Sequence, residues 1–381
     1  MPGYNQMLKN ISPSASMKRG LGAGAASLTN FAIGMPDLLP PSEVVRIISD
    51  RSAKNLFPYT ASSGTDPVRK NLAHLLSNDG LALDAEEVIP CDGAKFGIYL
   101  ALKALANPGE RVLVLEPYWL SYPHILTSLG LIQESFVPQL HANGILEYPT
   151  EDVIRCVKEK NIRVLILNNP NNPSGQIMPL EQVRQLVTAM EEAGVWVIID
   201  EVYIELAFDS QRRNANSLRA NNLIRVGSFS KSLCIPGLRA GYIIASAAIL
   251  ANFILLMQHI QTCVNSFALS VMELVSKETL LDHSKTCASV YAERFETLKS
   301  VFKQKDIPLL QIESSFYAFA DFSSFFQDSE KTCDFLLENL GLITTPGHEY
   351  GDFFRSFVRI CLTQPENKIA ASFAHLSNEA I

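Results

Sequence analysis

Between residues 88 and 245 the chain alternates short apolar runs with amphipathic stretches. The apolar runs predict buried strands, one beginning at Val88 and others at 111–116, 163–167, 195–199, 222–226 and 240–245. Segments with helical periodicity, such as 95–105 and 180–193, separate several of them. This strand–helix–strand alternation predicts a mostly parallel sheet with helices on both faces.

The pattern changes beyond residue 250, where helical periodicity dominates to about residue 305. Two short strands are predicted within 309–322, a helix at 333–339 and a strand at 356–362. Residues 1–30 are rich in Gly, Ala and Ser with little periodicity, which indicates a partly irregular N-terminal arm.

One apolar stretch is long enough to cross a bilayer, because no Asp, Glu, Lys or Arg lies between Arg239 and Glu273. Polar side chains interrupt it at Asn252, His259 and Asn265. A buried strand followed by a buried helix is therefore the favoured interpretation, and no membrane contact is expected.

Composition and charge indicate an ordinary globular protein. The 381 residues, 47% hydrophobic and 19% charged, suffice for more than one domain. The net charge of −7 argues against a nucleic-acid partner. The seven cysteines are scattered without a Cys-x-x-Cys pair, which favours reduced thiols over a disulfide frame or a zinc site. This cysteine spacing leads us to expect no bound metal. The N-terminus lacks the apolar run of a signal peptide, so we expect a cytoplasmic location.

The strongest candidate chemistry lies between two predicted strands, around Lys231. Ser228 and Ser230 precede this lysine, and Arg239 follows it. An amine, two hydroxyls and a guanidinium at a strand end can hold an aldehyde-bearing phosphorylated cofactor. The lysine would form a Schiff base, while the arginine and hydroxyls would bind the phosphate. A basic surface loop is the alternative interpretation.

Other candidates follow predicted strand ends. The N–H groups of Gly93, Ala94 and Lys95 open a predicted helix and could bind an anion, as at any helix start. Trp119 lies just past a strand end, where its ring could stack on a flat ligand or simply fill the core. Asp200 ends a buried strand, and no glycine-rich Walker loop accompanies it to indicate a nucleotide-bound magnesium site.

Four further residues are weaker candidates when taken singly. Tyr59 could donate to a phosphate or be half-buried, and Gly34 lets a backbone N–H approach a ligand or forms a simple turn. Asn172 offers an amide in a rigid polar loop. Arg359 lies in an apolar strand, which requires either a carboxylate partner or an exposed edge position.

Together, in order and over nearly the whole chain, these pieces resemble the class I and II aminotransferases, pyridoxal-phosphate enzymes of fold type I. The resemblance rests on Gly-Met-Pro-Asp, Pro-Tyr-Thr, Asp-Gly-Ala-Lys, Pro-Tyr-Trp-Leu-Ser-Tyr-Pro, Asn-Asn-Pro-Ser-Gly, Asp-Glu-Val-Tyr, Ser-Phe-Ser-Lys, Gly-Leu-Arg-Ala-Gly-Tyr, Pro-Gly-His-Glu-Tyr-Gly and Val-Arg-Ile. It implies a large α/β domain at 41–280 that binds the cofactor. It also implies a smaller α+β domain at 281–381, joined by the arm at 1–40.

The resemblance also implies catalytic roles. Lys231 would carry pyridoxal 5'-phosphate as a Schiff base and then shuttle the substrate proton, while Asp200 would keep the pyridine nitrogen protonated. Tyr203 and Asn172 would hydrogen-bond the ring hydroxyl, and Trp119 would stack on the ring.

Binding roles are implied in the same way. Arg359 would grip the substrate α-carboxylate, with the Gly34 N–H beside it. Tyr59 would come from the second subunit of a homodimer. The cofactor phosphate would lie in a cradle formed by Gly93, Ala94, Lys95, Ser228, Ser230 and Arg239.

The implied reaction is the transfer of an α-amino group between an amino acid and a 2-oxo acid. A lyase, a cyclising synthase or a deaminase could use the same cofactor site. The retained Lys231, Asp200 and Arg359 argue against a ligand-binding protein without catalysis. There is no arginine near Asn265 that could select an acidic side chain, and the sequence therefore does not identify the amino acid substrate.

Overall fold

The computed structural model describes residues 6–21, 28–54 and 57–376; parts of the predicted N-terminal arm, 1–5 and 22–27, lie outside these ranges. The helices are α1 Ala15–Leu21, α2 Ser42–Ala53, α3 Asp66–Leu76, α4 Gly93–Leu105, α5 Tyr122–Ser128, α6 Thr150–Glu159, α7 Leu180–Glu192, α8 Phe229–Ser232, α9 Ala247–Ile260, α10 Ser266–Leu274, α11 Lys277–Lys303, α12 Ser329–Leu340 and α13 Glu366–Ala374. The strands are β1 Thr29–Asn30, β2 Val88–Asp92, β3 Arg111–Leu115, β4 Ile132–Phe136, β5 Gln139–Leu140, β6 Leu146–Glu147, β7 Ile162–Asn168, β8 Trp196–Asp200, β9 Leu223–Ser228, β10 Ala240–Ile244, β11 Tyr317–Asp321, β12 Leu342–Ile343, β13 Thr345–Pro346 and β14 Phe357–Cys361.

A seven-stranded sheet forms the centre of the molecule, in the order β2-β10-β9-β8-β7-β3-β4. Strands β3, β4, β7, β8 and β9 pair in parallel, and β10 runs antiparallel to both of its neighbours. This confirms the predicted mostly parallel sheet.

Both faces of this sheet are buried under helices, because successive strand residues point to opposite sides. Val164 and Ile166 of β7 pack in one apolar cluster with residues of α4 and α9. Leu165 and Leu167 pack in another, with residues of α6 and α7. This two-sided burial explains why the strands are continuous apolar runs rather than alternating ones.

A second, antiparallel sheet has the order β11-β14-β13 and packs with α11, α12 and α13. The prediction of two strands within 309–322 was wrong, since this segment contains only β11 and a single bridge from Leu309 to Ala320. The N–H groups of Gln311 and Glu313 instead donate to the carbonyls of Gly144 and Gly175. Residues 311–313 therefore contact distant loops, and only the N–H of Leu310, which donates to the Phe319 carbonyl, continues the pairing with β11.

Helix α11 runs without a break from Lys277 to Lys303, across the predicted domain boundary at residue 280. That boundary stays a prediction. The uncharged stretch forms β10, α9 and most of α10. Among the described helices, none combines the length and the apolar character needed to cross a membrane.

Candidate active site

A cavity of about 440 Å³ opens at the carboxyl ends of the central strands. Asn168 and Asp200 are neighbours in the pairing of β7 with β8, and Ser228 ends the next strand, β9. Parallel strands bring their carboxyl ends to one edge, which is where open α/β sheets bind ligands. The candidate residues that line the cavity are Gly34, Ala94, Lys95, Trp119, Asn172, Asp200, Tyr203, Ser228, Ser230, Lys231, Arg239 and Arg359.

Lys231 lies in the short helix α8 directly after β9. The Ser228 side chain caps this helix by accepting a hydrogen bond of 3.0 Å from the Ser230 N–H. Lys231 Nζ donates to the Gly34 carbonyl over 2.6 Å. Burial lowers the pKa of Lys231 to about 8, and the positive charges of Arg359 and Arg239 act in the same direction. A useful fraction of this amine is therefore neutral and nucleophilic near neutral pH.

Asp200 faces the same cavity from the end of β8 and is only 5% exposed. Tyr122 donates its hydroxyl to Asp200 Oδ2 over 2.8 Å, and the Val202 N–H donates to Oδ1 over 3.3 Å. Burial nevertheless raises the pKa of Asp200 to about 6, since the two hydrogen bonds compensate only part of the lost hydration. Such a carboxylate is suited to a cationic partner in the cavity.

The turn from β2 to α4 forms an anion cradle with the Lys231 loop. Gly93 has a φ of +78°, and a Cβ at this position would lie 2.2 Å from Arg239 Nη2. The Ser230 hydroxyl is buried and has no hydrogen-bond partner among the described residues. An orphaned hydroxyl, a guanidinium and the free N–H groups at the start of α4 fit the phosphate of pyridoxal phosphate.

Arg359 approaches the cavity from the second sheet and is 2% exposed. The alternative of an exposed edge strand is wrong, because β14 lies between β11 and β13. Its Nη2 donates to the Ala32 carbonyl over 2.7 Å, and its Nη1 to Asn172 Oδ1 over 3.3 Å. In the part of the chain that the structure describes, no carboxylate pairs with Arg359. The buried positive charge is therefore available to an anionic ligand.

Two tyrosines at the site were missed by the sequence analysis. Tyr122 holds Asp200, as described above; its position three residues after Trp119 is the only signal that could have indicated it. The Tyr317 ring lies 4.5 Å from the Arg359 guanidinium, and its hydroxyl lies 2.9 Å from that of Tyr203. A Cβ on Gly34 would meet the Tyr317 hydroxyl at 2.1 Å, so this glycine permits the close packing there.

Trp119 and Tyr59 differ in their relation to the cavity. Trp119 lines it, packs edge-on against Tyr122 and has Lys95 Nζ 4.9 Å from its ring. Tyr59 does not line the cavity of its own chain and is 87% exposed. Gly93 lies in the turn behind the cavity wall, against Arg239.

Comparison with known proteins agrees with this geometry. Residues 26–373 match the family model of class I and II aminotransferases. The chain is 26% identical to an aspartate aminotransferase of Sulfolobus acidocaldarius, over 97% of this chain and 93% of the relative. It is 25% identical to a probable aspartate/prephenate aminotransferase of Thermus aquaticus, over 93% of each chain.

Solved structures agree in fold. A single mutant of Thermus thermophilus aspartate aminotransferase superposes with a TM-score of 0.90 over 98% of both chains, at 22% identity. An aspartate aminotransferase of Thermotoga maritima gives 0.86 over 97% of this chain and 98% of that one, at 23% identity. These matches confirm the predicted fold class.

The fold and the cavity together define an enzyme of the aminotransferase type. The chain belongs to the class I and II aminotransferase family, whose members use pyridoxal phosphate.

Proposed function

We propose that this chain binds pyridoxal 5'-phosphate through Lys231 and transfers an α-amino group between an amino acid and a 2-oxo acid. The observation that carries the proposal is the pairing, in one cavity, of a lysine with a lowered pKa and an aspartate with a raised pKa. Perturbed groups of this kind concentrate at catalytic sites. The bound cofactor supplies an electron sink for the negative charge that develops at the substrate α-carbon.

The residues of the chain have separate tasks in this proposal. Lys231 Nζ would hold the cofactor through its aldehyde group and, as a free amine, would move the α-proton as a general base. Asp200 holds a proton at the pyridine nitrogen, because an ionised carboxylate stabilises the adjacent cation. Tyr203 and Asn172 orient the ring hydroxyl, and Trp119 covers the ring face.

Anion binding is divided between the two sides of the cavity. Arg359 binds the substrate α-carboxylate with its planar guanidinium, a geometry that a lysine cannot reproduce. The cofactor phosphate is held on the opposite side by backbone N–H groups of Gly93, Ala94 and Lys95 and by the side chains of Ser228, Ser230 and Arg239.

The Lys231→Ala variant tests the assignment. We expect turnover to fall by about 10⁴-fold or more, because the nucleophile and the general base are both lost. The cofactor should still bind, but without a bond that borohydride can reduce onto the chain. Lys299→Ala, which alters an exposed lysine of α11, is the matched control and should leave turnover unchanged. Full activity of Lys231→Ala would refute the proposal.

For the substrate we infer an amino acid with an acidic side chain, such as aspartate. Lys95 adds a further cation to the cavity wall besides Lys231 and the two arginines proposed to bind the phosphate and the α-carboxylate. Its ammonium lies against Trp119, and among the described residues no carboxylate pairs with it. An ammonium at the cavity wall without a carboxylate partner suits a second carboxylate on the substrate. The names of the relatives, aspartate aminotransferases, support this choice.

A panel of amino donors tests the substrate class. Lys95→Gln should raise KM for aspartate by about 10- to 100-fold, the effect of one charged hydrogen bond, and leave KM for leucine nearly unchanged. Arg359→Lys should raise KM for both donors by a similar factor, because both carry an α-carboxylate. Equal responses of aspartate and leucine to Lys95→Gln would contradict the acidic-substrate proposal while leaving the transferase assignment intact.

We also infer a homodimer, in which Tyr59 of one subunit reaches the phosphate in the other, and a cytoplasmic location. All seven cysteines are free thiols, which supports a reducing compartment.

A further inference from the structure

A compact cluster of three potential metal ligands lies outside the cavity, where α8 and the turn after it meet α11. Cys234 Sγ lies 3.9 Å from Cys287 Sγ, which in turn lies 3.5 Å from His283 Nε2. All three ligand atoms lie within 4.8 Å of one another. Within residues 6–21, 28–54 and 57–376, no other group of three His, Cys, Asp or Glu ligands converges in this way.

The distances from Cys287 Sγ to Cys234 Sγ and to His283 Nε2 match those between ligand atoms arranged as a tetrahedron around a zinc ion. With Zn–S bonds of about 2.3 Å and a Zn–N bond of about 2.05 Å, tetrahedral angles place two sulfurs about 3.8 Å apart. The same geometry places sulfur and nitrogen about 3.6 Å apart. The observed 3.9 Å and 3.5 Å are close to both values, so little movement is needed to bind an ion.

The backbone at Cys234 is a second, independent observation. Its φ of +55° lies in the left-handed region, which residues with a side chain seldom adopt. A glycine would remove this strain but would also remove the thiol. The strained turn holds Cys234 Sγ against Cys287, and His283 and Cys287, four residues apart on α11, share one face of that helix.

Burial and charge also suit a metal ion. Cys287 is fully buried, Cys234 is 9% exposed and His283 is half-buried, so the cluster is closed on one side and open on the other. Two thiolates neutralise the charge of a divalent ion, which avoids the cost of burying a net charge. The partial exposure of His283 gives solvent access to the cluster, so a water molecule can supply the fourth ligand.

We propose that Cys234, His283 and Cys287 bind one divalent ion of the Zn²⁺ class, with the fourth position taken by water. Binding releases one proton from each thiol, two per ion. Because Cys234 follows Lys231 by three residues, the ion would fix the turn after the catalytic lysine to α11. This site goes beyond the proposed amino transfer, in which the ion takes no part.

Ligand spacing along the sequence gives no indication of this metal site, and no bound metal was expected for that reason. Cys234 and Cys287 are 53 residues apart, and only the fold brings them together.

Cobalt(II) titration of the cofactor-loaded protein, with thiols kept reduced, tests the site. We expect one equivalent of Co²⁺ per chain and the visible absorption of tetrahedral, thiolate-bound cobalt. Cys234→Ser, Cys287→Ser and His283→Gln should each weaken binding by about 100-fold or more, beyond the usual effect of removing an outer-shell partner. Cys333→Ser is the matched control, because it removes a buried thiol outside the cluster that accepts a hydrogen bond from the Thr344 hydroxyl. We expect this variant to bind cobalt as the unaltered protein does.

Two results would overturn the proposal: cobalt binding that is unchanged in the Cys287→Ser variant, or a six-coordinate cobalt spectrum. Thiol counting on the unaltered chain gives a second test that does not depend on folding of the variants. Zn²⁺ should protect two thiols from a thiol reagent, and a chelator should expose them again. Protection of neither thiol by Zn²⁺ would also overturn the proposal.

Discussion

At the residue scale, burial shifts two ionisable groups of the cavity in opposite directions. It lowers the pKa of Lys231 to about 8 and raises that of Asp200 to about 6, because a low-dielectric environment disfavours the charged form of each. Lys231 thereby becomes a better nucleophile at neutral pH. Asp200 instead carries a cost, which a cationic ligand can offset.

This cost makes the stability of the cofactor-free protein depend on pH. The folded state binds the Asp200 proton more tightly than the unfolded chain does, so protonation of Asp200 stabilises the fold. This stabilisation is complete below the ordinary pKa of 3.8 and is lost as the pH rises through about 6. Asn at this position does not titrate. We therefore expect the difference in unfolding free energy, unaltered protein minus Asp200→Asn, to fall by about 2 kcal/mol between pH 4 and pH 7.

Urea unfolding at several pH values measures this difference. Asp79→Asn alters an exposed aspartate and serves as the control. The difference in unfolding free energy between this variant and the unaltered protein should not change with pH. If the Asp200→Asn protein and the unaltered protein showed parallel pH profiles, burial of the Asp200 carboxyl would not govern its ionisation.

The sequence could predict which residues reach the cavity where chemistry and strand position agree. Lys231 and Asp200 follow buried strands, and the carboxyl ends of parallel strands meet at one edge. It could not predict Tyr122 or Tyr317, because their roles depend on where two hydroxyl groups point. The pattern of apolar positions does not predict the hydrogen bond from Tyr122 to Asp200 or the packing of the Tyr317 ring against Arg359.

At the element scale, the turn from β2 to α4 joins a backbone requirement to a binding function. Gly93 combines a left-handed φ with close contact to Arg239, and α4 begins at this residue. The sequence predicted the turn and the helix, but not the contact. Elements defined by long apolar runs were predicted well. The segment 309–322 was not, because only its first residues pair with β11, while the N–H groups of Gln311 and Glu313 donate to distant loops.

Gly93→Ala should therefore weaken cofactor binding more than it weakens the fold. The new methyl group would displace the Arg239 guanidinium, and loss of one charged hydrogen bond to phosphate should lower affinity by about 10- to 100-fold. Gly109→Ala is a matched control, since Gly109 has a φ of +89° and, its chain neighbours apart, no atom of the described residues lies within 4 Å of the position that its Cβ would take. Both variants should lose about 1 kcal/mol of stability from the strained backbone.

Fluorescence titration of the two cofactor-free variants with pyridoxal phosphate separates these effects. Equal cofactor affinities for Gly93→Ala and Gly109→Ala would show that Arg239 and the β2–α4 turn do not hold the phosphate.

At the scale of the whole molecule, one segment carries several large apolar side chains that are exposed in the single chain. Met35, Leu39, Phe57 and Tyr59 are 56%, 83%, 53% and 87% exposed, and all lie within 25 residues of chain. Large exposed apolar side chains that occur together mark interaction surfaces. A homodimer that covers this segment would also explain why Tyr59, predicted to bind phosphate, does not line the cavity of its own chain.

Mixing Lys231→Ala chains with Tyr59→Ala chains, at cofactor concentrations that limit the Tyr59→Ala protein, tests whether the active site is shared. In a dimer of Lys231→Ala and Tyr59→Ala chains, one site carries both changes and the other carries neither, provided that Tyr59 acts across the interface. Random exchange of subunits makes half of the dimers mixed, so about one quarter of the sites should be intact. We expect activity at limiting cofactor to rise to about one quarter of that of the unaltered protein.

Lys231→Ala mixed with Gly93→Ala is the control: both residues belong to the same chain's site, so every site keeps one change and no recovery should follow. Absence of recovery in the Tyr59 mixture, after subunit exchange has been verified by mass, would place Tyr59 outside the partner's site.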